Sequence, residues 1–255
     1  MISIKRSSLF VSLIILSSCA LFRPSLQSQL EPIDMTFVEG GTFIMGDVIE
    51  EENDDSLPLH EVTVPDFYIG TFEVTYRQYD AFASATGRDL PRDDGRGRGD
   101  RAVVYVNWYD ALEFCKAYGY RLPTEQEWEY AARSGGKDQI YSGVFDPDSL
   151  DVVARHKENS AGYTFSVGTK EPNDLGLYDL TGNVSEWIGD YYPFFKTDPD
   201  SIEYYPLEER AMRVIRGGSF NSNALTLRNY WRVGVLAELG DHTIGFRCVD
   251  PNDND

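Results

Sequence analysis

Few side chains in this sequence have the type and spacing to do chemistry. The segment Asp179-Leu180-Thr181-Gly182-Asn183-Val184-Ser185-Glu186 offers two carboxylates, with the backbone carbonyls of Gly182 and Val184 between them. Hard oxygen donors bent around a glycine turn suit Ca²⁺ in a structural role, since no nucleophile or base lies nearby. The same residues also read without a metal, with Asp179 capping a turn and Glu186 paired to an arginine. His60, His156 and His242 read as three unrelated surface histidines, and no Ser-His-Asp arrangement accompanies them. Residues 95–99 (GRGRG) lack the Lys-Ser/Thr ending and the preceding strand of a phosphate-binding loop.

Three cysteines remain to be placed. Lys5 and Arg6 precede an apolar stretch from Leu9 to Leu16, of secretory-leader length and too short to span a bilayer. It ends in Leu16-Ser17-Ser18-Cys19, which resembles a bacterial lipobox and marks Cys19 for lipidation. Residues 1–18 then form a lipoprotein signal peptide, 19–33 a lipid anchor and tether, and 34–250 the folded domain. Acyl chains would hold the protein to a membrane of the bacterial envelope, displayed at the outer surface. In an exported protein the two other cysteines, Cys115 and Cys248, read most simply as a disulfide joining the last strand to a central helix. A catalytic thiol is the weaker reading, because neither pairs with a histidine in a recognisable motif.

Composition narrows the partners. The 255 residues are 42% hydrophobic and 13% aromatic, enough for a sizeable core. With 42 acidic against 23 basic residues the formal net charge is −19, which repels phosphate backbones and excludes nucleic acid as a natural partner.

The elements that would position these groups show in periodicity and caps. Residues 35–46 (MTFVEGGTFIMG) alternate as strands, as do residues 60–70, and the acidic run 50–55 reads as a solvated loop. Helical spacing follows Thr75, with Gly87 as its stop. A second helix follows Asn107 and a third Thr124, where Glu127 completes a capping box. After Gly136 the chain reads as turns and short strands, with no internal repeat. Trp108, Trp128 and Trp187 sit among apolar residues and read as core anchors.

Seven blocks in order resemble the formylglycine-generating enzyme (sulfatase-modifying factor) family. They are GGTFIMG at 40–46, FEVTYRQYDAF at 72–82, VNWYDALEFC at 106–115, RLPTEQEWEYAAR at 121–133, NDLGLYDLTGNVSEW at 173–187, RVIRGGSF at 213–220 and IGFRC at 244–248. The resemblance implies an α+β, C-type lectin-like fold of the formylglycine-generating-enzyme type. Short antiparallel strands would accompany two or three helices and much irregular structure. It also implies a bond between the equivalent cysteine pair and calcium on Asp179, Gly182, Val184 and Glu186. The family's enzymes carry two active-site cysteines a few residues after the GGS block. Here those positions hold Ser222 and Leu227 or a neighbour, so the thiol-based oxidation should be absent.

The segment of about 216–247 has a further texture. Fixed-looking elements (RGGSF, Ala224, Leu227-Arg228, Arg232, Ala237-Glu238, IGFR) alternate with groups of unrelated residues. This resembles the variable region of proteins diversified by retroelements that mutate template adenines. Every grouped residue except Trp231 is reachable from an Asn codon changed at its first two positions. The implied ligand-binding face is Ser222, Leu225, Thr226, Asn229, Tyr230, Trp231, Val233, Val235, Asp241, His242 and Thr243. Its ligand would be a protein or another cell-surface molecule, recognised by amphipathic side chains on a rigid frame. Two rivals are an oxidative enzyme with a pocket around His156 or His242, and a structural lipoprotein of an envelope assembly.

Overall fold

The computed structural model describes residues 25–48, 58–192 and 212–251; the leader, Cys19 and the acidic run 50–55 lie outside them. Among the described residues, strands β1 (Met35–Val38) and β4 (Phe67–Gly70) pair antiparallel, and β9 (Val249–Asp250) joins the other edge of β4. Strands β2 (Gly41–Met45) and β3 (His60–Val64) form a separate antiparallel pair. The largest sheet has the order β7-β6-β5-β8, built from β5 (Ser185–Tyr191), β6 (Met212–Arg216), β7 (Arg232–Leu236) and β8 (Ile244–Gly245). Only the β5–β8 pairing is parallel there.

The helices start where the caps demand. Helices α1 (Tyr76–Thr86), α2 (Trp108–Ala117) and α3 (Glu125–Ala132) each open on a reciprocal capping box, of Thr75 with Gln78, Asn107 with Asp110 and Thr124 with Glu127. Each box satisfies two amide donors that the first turn leaves orphaned, at about 1 kcal/mol per cap. Gly87, at φ +73°, ends α1 in the left-handed region. A single further turn, α4, covers Leu150–Val153.

Trp187, Phe114, Phe82 and Phe246 pack in one core region, and Trp128, Ile69, Leu177 and Val214 in a second. All three expected tryptophan anchors are buried, each donating its indole N–H: Trp108 to the Ile188 carbonyl, Trp187 to the Val106 carbonyl and Trp128 to Glu186. The Cys115–Cys248 disulfide ties α2 to the chain just before β9, across 133 residues. The end of the expected tether is part of the domain. Leu30 and Ile33 pack on the first core region, and the Glu31 and Pro32 carbonyls accept from Tyr118 and Gln78.

Candidate ligand-binding face

The floor beneath the C-terminal segment is an internal ionic network. Glu125 and Glu129 lie one turn apart on α3, and Arg216 at the end of β6 bridges them. Its Nη1 donates to Glu125 Oε1 (2.5 Å) and its Nη2 to Glu129 Oε2 (2.6 Å) and the Asn229 carbonyl (2.5 Å). Arg232 at the start of β7 adds a two-pronged bond to Glu125, both contacts at 2.6 Å. Arg133 and the Gly46 amide donate to the other Glu129 oxygen. Burial works against the Arg216 charge, but Glu129 and Glu125 outweigh it and hold the guanidinium above its ordinary value. Buried pairs of this kind are poor sources of net stability, yet breaking one strands a charge. Their effect here is to fix three distant segments, α3, the end of β6 and residues 229–232, in one geometry.

Gly217 and Gly218 turn the chain from β6 into the segment. At Gly218 the φ is +65°, and a Cβ would meet the Thr226 carbonyl oxygen at 2.7 Å. Only glycine meets both constraints without displacing the 3-10 turn Leu225–Leu227 that follows.

The expected face residues divide. Leu225 (48% exposed), Val233 (40%) and His242 are exposed, while Ser222, Thr226, Trp231, Val235, Asp241 and Thr243 are half-buried. Asn229 (0%) and Tyr230 (4%) are interior and leave the face. Asn229 is pulled in by its backbone and side chain together: its amide donates to the Ile140 carbonyl and its Nδ2 to the Gln139 carbonyl. The Tyr230 hydroxyl accepts from Arg228 Nη1 at 2.6 Å beneath the surface. Val235 turns toward the first core region, as its place on the edge strand β7 requires. Ser222 Oγ accepts the Ser219 amide, and Leu227 is wholly buried beside Ile140, Tyr141 and Leu150.

Of the four expected calcium donors, the two carboxylates, Glu186 and Asp179, are already engaged. Both Glu186 oxygens accept from Arg247, at 2.7–2.9 Å, and Oε2 also accepts the Trp128 indole N–H. Asp179 accepts the Gly168 amide at 2.7 Å, in a left-handed conformation with φ +58°. Burial raises the Asp179 carboxyl to about 6. It also raises neighbouring Glu73, helped by the charges of Asp179 and Glu186. A cation would have to displace the guanidinium that neutralises the cluster. The cap-and-ion-pair reading of Asp179 and Glu186 is the one these contacts match. Among the described residues, no group of three His, Cys, Asp or Glu is gathered as metal donors. His156 is spent on Asp151 at 2.8 Å, and His242 Nδ1 lies 3.1 Å from Asp241.

A family model described as sulfatase-modifying factor enzyme 1-like domain matches residues 22–251. The chain belongs to this family. The fold is accordingly the α+β, C-type lectin-like fold of the formylglycine-generating-enzyme type. The inactive Cα-formylglycine-generating enzyme 2 of Bos taurus is 29% identical, over 86% of this chain and 88% of its own. The serine/threonine-protein kinase Pkn1 of Chlamydia trachomatis is 31% identical over 89% of this chain, which spans only 40% of that kinase. Among solved structures, Treponema denticola variable protein 1 superposes with a TM-score of 0.70 at 25% identity, covering 84% of this chain and 94% of its own.

The sequence reading missed the network of Glu125, Glu129, Arg216 and Arg232. Its signal was present in two acidic residues four apart on α3 and two arginines in otherwise apolar strand blocks. Nothing in the spacing shows that residues some 90 positions apart meet.

Proposed function

We propose that this family member is a non-catalytic, lipid-anchored envelope protein that binds a ligand through a varied C-terminal face. The observation that carries the reading is the division of residues 222–243. An exposed or half-exposed set of side chains lies over a segment pinned from below by Arg216, Arg232 and α3. A pinned backbone with free side chains loses little entropy on binding and tolerates substitution on its outer side. The positions matching the family's thiols hold a serine turned into its own backbone turn and a buried leucine. The likeness to variable protein 1, and to a relative named as inactive, favours recognition over turnover. Retroelement diversification would supply the variation, and Cys19 the anchor.

Sequencing this locus and its flanking DNA across many isolates tests the reading. Substitutions confined to codons 221–243, with a nearby near-copy carrying adenines at those positions, are the expected result. A uniform segment with no near-copy would remove diversification and leave a fixed-partner lipoprotein.

A further inference from the structure

Beside His242 lies a cavity of about 160 Å³ that the varied segment only borders. Its walls come chiefly from two other loops, 93–105 and 162–164, with Phe220 and His242 closing one side. Val104 and Phe220 form an apolar floor, and the rings of Tyr105, Tyr163 and His242 stand around it. The volume holds one side chain, well below the roughly 300 Å³ at which pockets for drug-sized ligands begin.

Two guanidinium groups, Arg96 and Arg101, line this cavity without a salt bridge among the described residues, beside the carboxylates of Asp93 and Asp94. The neighbouring arginines are engaged: Arg77 with Asp100, Arg92 with Asp94 and Arg98 with Asp80. Arg101 instead donates only to neutral oxygens, from Nε to the Thr164 carbonyl (3.0 Å), from Nη2 to Thr164 Oγ1 (2.6 Å) and from Nη1 to the Gly97 carbonyl (2.5 Å). Those bonds hold the group rigid, and the charge of Asp93 acts on it through space without a salt bridge. Arg96 stacks on the Tyr163 ring, 4.8 Å from its centroid, and forms no ion pair among the described residues. The lining sets Arg96 and Arg101 against Asp93 and Asp94, formally neutral in a chain of net charge −19. The carboxylates at the rim are already occupied in part: Asp94 takes Arg92 and the Tyr105 hydroxyl, and Asp93 Oδ1 takes the Gly95 amide. Tyr105, held at φ +61°, lines the cavity with its ring stacked by Arg92, 4.8 Å from the centroid.

We propose that this cavity is a fixed carboxylate pocket that anchors an acidic group of the ligand while the varied face tunes the rest. That the cavity serves a ligand of the varied face rests on the proposed function; the carboxylate chemistry does not. Arg96 and Arg101 would supply charged donors, and the aromatic walls would cover the stem of a glutamate side chain or a flat aromatic acid.

The test titrates the mature full-length chain with benzoate, benzamide, N-acetylglutamate, N-acetylglutamine and sulfate, followed by calorimetry and by NMR of the arginine Nε–H signals. Benzoate should bind with a dissociation constant of about 1 mM, and benzamide about tenfold more weakly. Arg96→Gln should weaken benzoate about tenfold, and Asp93→Asn, which keeps the Gly95 cap and removes a competing charge, should strengthen it. Leu225→Ala and Val233→Ala should leave benzoate unchanged. Equal binding of acid and amide, equal binding of sulfate, or no response to benzoate at about 50 mM would each overturn the proposal. Benzoate binding that Arg96→Gln removes, without any polypeptide ligand for any face variant, would sustain the pocket and overturn the proposed function. A face-dependent polypeptide ligand without benzoate binding would do the reverse.

Discussion

Substitution of Tyr230 separates face from frame. The reading of residues 222–243 as a varied surface treats Tyr230 like its neighbours, whereas its 4% exposure places it in the interior. Tyr230→Ala removes a buried aromatic ring and the acceptor for Arg228, and large-to-small changes of this kind cost about 4 kcal/mol. Tyr230→Phe keeps the ring and should cost only about 1 kcal/mol. Leu225→Ala and Val233→Ala, at 48% and 40% exposure, should each cost less than about 1 kcal/mol. Urea denaturation followed by far-UV circular dichroism is the suitable assay, because Trp231 would report its local surroundings by fluorescence. With a slope of about 3 kcal/mol/M, Tyr230→Ala should lower the midpoint by about 1.3 M and leave the slope unchanged. A loss below about 1 kcal/mol for Tyr230→Ala, or an equal loss for Leu225→Ala, would refute the division on which the proposed function rests.

The remaining tests address the frame. Removing the Cys115–Cys248 bond, which spans 133 residues, should cost about 5 kcal/mol by loop entropy, read as a lowered urea midpoint for the double serine variant. Arg216→Met should cost about 3 kcal/mol, because Glu129 is left with Arg133 as its remaining charged partner and the Asn229 carbonyl loses its donor. Asp179 has its carboxyl raised from 3.8 to about 6, so the folded state takes up a proton that the unfolded chain still lacks between those values. Its burden is therefore full above about pH 6 and relieved toward pH 4; Asp179→Asn should stabilise by up to about 3 kcal/mol at pH 7.5 and by nothing near pH 4. Millimolar calcium or its chelation should leave the thermal midpoint unchanged at pH 7.5, whereas a rise of several degrees with calcium would mean that Glu186 leaves Arg247 for the ion.

Local chemistry was legible in the sequence where it acts over a few residues. Thr75, Asn107 and Thr124 were readable as caps because a short polar side chain before an apolar period can satisfy amides three positions on. The disulfide and the tryptophan anchors were readable from residue type alone. The side that an irregular loop turns inward was not. Asn229 is polar and Tyr230 amphipathic, and neither lies in a periodic element that would assign it a face. Asn229 goes inside because the Gln139 and Ile140 carbonyls need donors there, and those carbonyls lie some 90 residues earlier. Glu186 misled for a related reason: carboxylate and glycine turn match a calcium loop, and only the fold brings Arg247 to both oxygens.

The same contacts limit what variation the segment can carry. Arg216 holds the Asn229 backbone through its carbonyl, so that bond survives a change of side chain at 229; the Nδ2 bond to Gln139 does not. At Gly234, where the codon pattern also allows change, a Cβ would meet the Tyr192 ring at 2.5 Å, and the ring would have to move. Variation spread evenly over all reachable codons would therefore unfold a fraction of its products. Related sequences that differ across this segment should then differ at 222, 225, 226 and 233 and stay narrow at 229, 230 and 234, even if all seven codons mutate equally. Equal diversity at 230 and 225 among expressed, folded copies would mean that the frame ends before Tyr230 and that the network at Arg216 does not hold it.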